Sequence, residues 1–293
     1  ISRLGIQNLA NHSTTLRISE IYCSYIFMRN GNRLIGLTEP SRGVFDHDGL
    51  QPRQSIYRRT KMHYDPRSEK CPLPYAPFKS CTVPRPIGWL STISPDGVAN
   101  LAPYSQWQNL TFDPPMVMFA ANQLSSGQRK HTVINAEETG WFVWNMATYD
   151  LRDAVNLSAM EVDADVDEFV HAGVTAASCI DSPGPRVAES PAQFECKYLS
   201  THRLRGSSSH GWVDVVYGEV ARIHVKDEVV GPDGKLDIPK IRPLARLGYY
   251  DYTSVTETFE MKIPGTNDMT KYGRPSCSPT SKTVGTWGEQ TVR

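Results

Sequence analysis

Lys130-His131-Thr132 puts an ammonium, an imidazole and a hydroxyl on three consecutive residues. The stretch from Lys130 to Glu138 is helical in composition, and Gly140 can stop it. The first N–H groups of a helix find no partner inside it and stand at its positive end. Those groups together are what an anion needs, a phosphate above all. A solvated Lys130 and a Thr132 that only caps the helix account for the same residues. A second cluster lies upstream, at Ser91-Thr92 and Ala102-Pro103-Tyr104-Ser105. Small and hydroxylic side chains let a flat ligand approach the backbone, and they offer short, stiff hydrogen-bond donors. On spacing alone an ordinary hairpin accounts for this cluster too.

The elements that must position these groups are mostly strands. Ile87 to Ser94 is apolar and β-branched enough for one, and Val98 to Ser105 runs back beside it. Between them, Ser94-Pro95-Asp96-Gly97 is turn chemistry. Met116 to Ala121 and the nearly continuous apolar run from Gly140 to Ala147 read as further strands, the second buried on both faces. Trp212 to Val225 is long, and its Val213-Val215-Tyr217 alternation suits a half-buried strand. Leu151 to Met160 has helical spacing. Strands interrupted by short helices, without a regular βαβ rhythm, predict a mainly β, antiparallel barrel. Trp89 and Trp107 could stack on a flat ligand, but aromatic residues on strands usually serve the core, so neither is counted in the site.

Several of these segments, in order, resemble one known family. Pro84 to Thr92 (PRPIGWLST), a turn, and Asn100 to Ser105 (NLAPYS) resemble the signature of the flavin reductase-like proteins, FMN-binding split barrels related to flavoredoxin. Asp113-Pro114-Pro115, Lys130-His131-Thr132 with Asn135, and Thr139 to Asn145 continue the likeness in register. So do Asp167-Glu168-Phe169 with Ala172-Gly173, Arg186-Val187 with Glu189-Ser190-Pro191, Gly218-Glu219-Val220, and Pro243 to Gly248. The resemblance covers about residues 62 to 264. It implies an FMN-binding split β-barrel of Greek-key, antiparallel type with a few short helices. On that reading residues 1–61 are an N-terminal extension, 62–264 the flavin domain, and 265–293 a polar tail.

The resemblance also implies a site and an activity. Ser91, Thr92, Ala102, Pro103, Tyr104 and Ser105 would contact the flavin ring, largely through backbone. Lys130, His131 and Thr132 would hold the phosphate, and Arg246 would lie near the cofactor, in the segment that includes Tyr252. The sequence departs from the common pattern at Gln106-Trp107, where many relatives carry two aromatics. The implied activity is that of an FMN-dependent oxidoreductase with tightly bound FMN. It would take hydride from NADH or NADPH and pass electrons to a second acceptor, either free flavin or another small molecule. Hydride transfer needs neither a nucleophile nor a general acid, so no catalytic residue is named. A flavin-binding or electron-carrier module without turnover is the alternative. The family also implies a homodimer.

Composition excludes other classes. The formal net charge of +0 gives no electrostatic case for nucleic acid or a membrane surface. No apolar run approaches the ~20 residues that span a bilayer. The six cysteines form no C-x-x-C pair and lack metal-ligand spacing with histidines. Scattered single thiols fit a reducing compartment, hence a cytoplasmic location. The Arg-rich, acid-poor stretch 1–61 leaves organelle targeting open. There is no G-x-G-x-x-G, and Trp212 stands where a Walker-type lysine belongs.

Overall fold

The computed structural model describes residues 62–207 and 211–261, and upstream of them four two-residue strands. The rest of the expected extension 1–61 and the expected tail 265–293 lie outside the described residues. Contacts divide the chain into two compact units, 1–74 and 75–293. The elements that follow belong to the second.

In chain order they are α1 (Phe78–Cys81), β1 (Arg85–Pro86), β2 (Gly88–Ile93), β3 (Ala99–Tyr104), β4 (Trp107–Phe112) and β5 (Pro115–Asn122). Next come α2 (His131–Thr139), β6 (Trp141–Met146), α3 (Arg152–Leu157), α4 (Glu168–Ala172), β7 (Ala176–Ala177) and β8 (Arg186–Val187). The last are β9 (Ala192–Arg205), β10 (Trp212–Val225), α5 (Ile238–Ile241), β11 (Leu244–Gly248) and β12 (Asp251–Ser254). Seven strands form one sheet in the order β3-β2-β6-β9-β10-β5-β4, and every neighbouring pair is antiparallel. The two outer strands, β3 and β4, are separated in the chain only by Ser105 and Gln106. A sheet whose edges are tied so closely must curl on itself, and the β4–β5 ladder runs right up to the join, where the Ala120 N–H donates to the Gln106 carbonyl at 2.8 Å. The result is an antiparallel barrel.

Side-chain alternation fills both faces of the wall. Leu90, Trp107, Phe119, Phe142 and Trp144 point into the barrel with Val133 and Ala136 of α2. Trp89, Leu101 and Ala147 point the other way, onto Val155, Phe169 and Val187. That double burial explains why β2 and β6 read as nearly continuous apolar runs. Each fully buried large side chain contributes about 1.5–3 kcal/mol. Close packing also fixes one glycine: a Cβ on Gly88 would sit 2.9 Å from the Trp107 ring. Trp107 itself stacks on Trp144 with centroids 5.8 Å apart, so it serves the core.

The hairpin runs as its residues predict. β2 and β3 pair from Gly88↔Tyr104 to Ile93↔Ala99, and the Gly97 N–H closes the turn on the Ser94 carbonyl at 2.9 Å. α2 starts with Lys130 in an extended N-cap position and ends at Gly140, whose φ of 77° is the left-handed cap that glycine tolerates. The helix predicted over Leu151 to Met160 is shorter. A 3-10 turn at Tyr149–Leu151 leads into α3, which stops at Leu157. There the Ser158 hydroxyl donates to the Val155 carbonyl at 3.1 Å and accepts from the Trp89 indole at 2.9 Å. A separate three-stranded sheet, β12-β11-β1, closes the far side and sets Arg246 opposite Arg85. Among the described residues no helix is long and apolar enough to cross a membrane.

Candidate functional site

The N-terminus of α2 opens onto a cavity of about 70 Å³, room for several waters or one phosphate-sized group. Its lining brings together Ala102, Pro103 and Tyr104 of β3 with Lys130, His131 and Thr132. Asn100, Glu168 and the segment 158–162 complete it.

The groups at this helix end are donors. No side chain caps α2. The first backbone bond runs from the Val133 N–H to the Lys130 carbonyl at 3.0 Å, leaving the N–H groups of His131 and Thr132 ahead of it. Tyr104 lines the cavity, and its buried hydroxyl lies beside that of Thr132 without a hydrogen bond of good geometry. Burial raises its pKa well above the ordinary phenol value, with the Thr132 hydroxyl close by and Glu168 adding to the rise. Tyr104 therefore stays a neutral O–H donor. Lys130 Nζ reaches Glu161 at 3.0 Å, and Glu161 also accepts from the Ser125 hydroxyl at 2.8 Å. The adjacent Arg129 is committed elsewhere, to Glu137 at 2.7 Å and Asp214 at 3.0 Å.

Behind Thr132 runs a buried polar chain. The Asn135 amide donates to Thr92 Oγ1 at 3.1 Å, and Thr92 donates to Asn100 Oδ1 at 3.2 Å. Thr132 donates to the same Asn100 oxygen at 2.7 Å. The Asn100 amide nitrogen and the Leu101 N–H both donate to Glu168 Oε2. Glu168 is only 5% exposed. Desolvation lifts its pKa to about 7, against the pull of the Leu101 N–H and Lys130.

The other residues expected at the site stand elsewhere. Ser91 is fully buried, donates to the Pro185 carbonyl at 2.6 Å and accepts from the Asn145 amide at 3.0 Å. Its hydroxyl fastens the loop before β8, where the Val187 N–H donates to Asn145 Oδ1 at 2.7 Å. Thr92 belongs to the buried chain. Ser105 and Arg246 line a separate open cleft of about 590 Å³, with Tyr75, Lys79, Arg85 and Tyr249. Arg85 donates to the carbonyls of Lys79 and Thr82, and Arg246 to the Tyr249 carbonyl and the Tyr252 hydroxyl. None of Lys79, Arg85 and Arg246 forms an ion pair among the described residues. Arg246 stands opposite Arg85 in the small sheet, and like charges so placed cost stability. The expectations for the site did not include Asn100, Glu161 or Glu168. The signal for Glu168 was the acidic pair Asp167-Glu168 at a helix start, where Asp167 caps α4 and Glu168 turns inward.

A family model described as the flavin reductase like domain matches residues 80–253. The chain belongs to this family. An uncharacterized protein of Aquifex aeolicus is 32% identical over 184 residues, which are 62% of this chain and 89% of the relative. Nitrilotriacetate monooxygenase component B from Bacillus cereus has a similar structure, with a TM-score of 0.63 and 25% identity over 70% of this chain and all of that one. A putative flavin reductase with a split barrel domain from Shewanella frigidimarina superposes with a TM-score of 0.56. It is 22% identical and covers 64% of this chain and 89% of its own. The barrel is therefore a split barrel of the flavin reductase type, and the family is one of flavin-related oxidoreductases. A flavin phosphate fits the cavity by chemistry: the uncapped N–H groups of α2, Lys130 and the Tyr104 hydroxyl are donors gathered at one place.

Proposed function

We propose that this protein is an FMN-dependent oxidoreductase that takes hydride from NADH or NADPH and delivers electrons to a second acceptor, a free flavin or another small molecule. The observation that carries the cofactor assignment is the uncapped start of α2, whose first N–H groups meet Lys130 and the buried Tyr104 hydroxyl at one cavity. On this reading Lys130, His131, Thr132 and Tyr104 hold the phosphate. Ala102 and Pro103 give the flavin an apolar backbone edge, with Ser91 and Thr92 supporting that edge from inside. When bound, FMN supplies the redox chemistry. The chain places it, shields it from water and sets the charge around it.

The cleft of Arg85 and Arg246 lies next along β3, one residue beyond Tyr104. Its paired guanidiniums and tyrosine rings suit a flat or anionic partner, and a nicotinamide dinucleotide has both properties. A homodimer completes the proposal, since an open barrel seam is commonly closed by two-fold pairing. The test is direct. Purified protein should carry or take up FMN at about one per chain, by its visible flavin bands. Anaerobic NADH or NADPH should then bleach those bands, and excess flavin should sustain turnover. Bound flavin that neither nicotinamide reduces would leave an electron carrier. Protein that neither carries nor binds FMN would remove the cofactor assignment.

A further inference from the structure

The buried chain behind Thr132 has a direction, and the direction is wrong for an anion. Asn100 Oδ1 accepts from both Thr92 and Thr132. The Thr132 hydroxyl has one hydrogen, and Asn100 holds it. Toward the cavity Thr132 can then offer only lone pairs, which repel phosphate oxygens. The arrangement is fixed from its far end: Glu168 Oε2 as a carboxylate can only accept, so Asn100 must present its amide nitrogen there. Turning Thr132 toward the cavity breaks the shorter of the two bonds to Asn100 Oδ1 and leaves that oxygen only Thr92, so donation to a phosphate competes with a buried bond.

A proton on Glu168 lets the side-chain links reverse, with the Leu101 N–H still donating to the carboxyl and the Asn135 amide turned so that its oxygen accepts from Thr92. The carboxylic acid donates to an Asn100 turned over by half a rotation of its amide. The Asn100 nitrogen then donates to Thr132 Oγ1, and the Thr132 hydrogen is released into the cavity. The proton comes from solvent and stays on Glu168 Oε2. No other covalent bond is made or broken. We propose that Glu168 is the positioning residue of this site, coupling phosphate binding in the cavity to the uptake of one proton. The inference rests on the reading of the cavity as the FMN phosphate site and deepens it.

The charges around Glu168 agree with this coupling. Lys130 from the start of α2 favours the carboxylate, and Asp167 on its own helix opposes it. His131, Glu161 and Asp163 line the two cavities that Glu168 borders, and the neutral Tyr104 faces it from β3. A dianionic phosphate brought into this setting adds like charge beside a buried carboxylate, and the proton removes that repulsion. Desolvation already holds the Glu168 pKa at about 7, so the proton is available near neutrality.

Calorimetric titration of the full chain with FMN at pH 8, in two buffers of different ionisation enthalpy, counts protons directly. At that pH the FMN phosphate is already a dianion, its second pKa being about 6. We expect close to one proton taken up per FMN and none with riboflavin, which lacks the phosphate. FMN affinity should fall by up to tenfold per pH unit above neutrality. Glu168→Gln carries a permanent amide donor in place of the acid. It should bind FMN with almost no proton uptake and with an affinity that no longer falls between pH 7 and pH 9. FMN binding to the parent without proton uptake, or equal uptake with riboflavin, overturns the inference and leaves the phosphate site standing. Unchanged uptake in Glu168→Gln overturns it as well. Should that variant fail to fold, the parent's contrast between FMN and riboflavin decides. FMN that does not bind the parent at all overturns both readings.

Discussion

Two glutamates of this barrel are both shut away from solvent, and their surroundings drive them in opposite directions. Glu195, on β9, is 0% exposed. Desolvation pushes its pKa up, yet it is held at about 2 because the donors around it outweigh that penalty. They are the N–H groups of Ile180 (2.9 Å), Asp181 (2.6 Å) and Ser182 (2.7 Å), with His224 Nε2 at 2.6 Å. Glu168 has one backbone N–H and one side-chain amide, and desolvation wins. Burial alone therefore says little about what a carboxyl is for. Where four donors converge, the charge is permanent and pins the loop 180–182 to the barrel. Where two converge at a cavity wall, the charge is conditional, and the cavity's ligand can set it.

Substitutions should separate the two. The largest effect is expected at Glu195. Glu195→Gln removes the charge that four donors satisfy and should cost about 3 kcal/mol at pH 7, read as a loss in urea-unfolding free energy. The folded pKa of Glu195 is depressed, so its contribution is present above the unfolded value of about 4.5 and is lost as pH falls toward about 2. The parent and the variant should converge in acid. A gap undiminished at pH 2.5 would make Glu195 a matter of packing, not of charge.

Thr132→Ala comes next. A hydrogen bond to a charged group contributes roughly 1.5–3 kcal/mol, so FMN should bind about 10- to 100-fold more weakly. Riboflavin should be unaffected, and fluorescence titration reads both. A parallel loss for the two ligands would place the phosphate elsewhere.

Glu168→Gln should move stability in the sense opposite to Glu195→Gln. A carboxyl raised from 4.5 to about 7 makes the folded parent less stable as pH climbs through that window, because the native state holds the proton more tightly. The variant escapes this loss and should gain on the order of 2 kcal/mol relative to the parent between pH 4.5 and pH 8, after allowance for solvent screening. Thermal melts across that range would show the two curves parting. Curves that stay parallel would mean that folding leaves the Glu168 pKa where it is in the unfolded chain. The smallest effect belongs to Lys130→Ala. Its ammonium is shared with Glu161 and partly screened, so FMN affinity should fall only a few-fold and less at high salt.

Much of the scaffold is legible locally. The β2–β3 hairpin follows from its turn residues, and α2 from a helical run that Gly140 stops. The proposed anion site at α2 can be read as chemistry because Lys130, His131 and Thr132 are adjacent in the chain. What pattern could not convey is the partner of each polar group. Ser91 and Thr92 read equally as ligand contacts or internal bonds, and only the fold brings Pro185 and Asn135 to them. Asn100 and Glu168 are 68 residues apart in the chain, and no local spacing links them. Ser105 and Arg246 lie beyond the end of β3, where the chain turns into β4 and the small sheet begins, so they line a different cleft from Tyr104.

The central claim is that the cavity at the start of α2 holds the flavin by its phosphate. Its most direct test is the ratio of FMN to riboflavin affinity in the unmodified protein at pH 6.5, measured by quenching of flavin fluorescence. Several charge-assisted bonds predict FMN to bind at least about 100-fold more tightly. Equal affinities would contradict the account, whatever the protein proves to reduce.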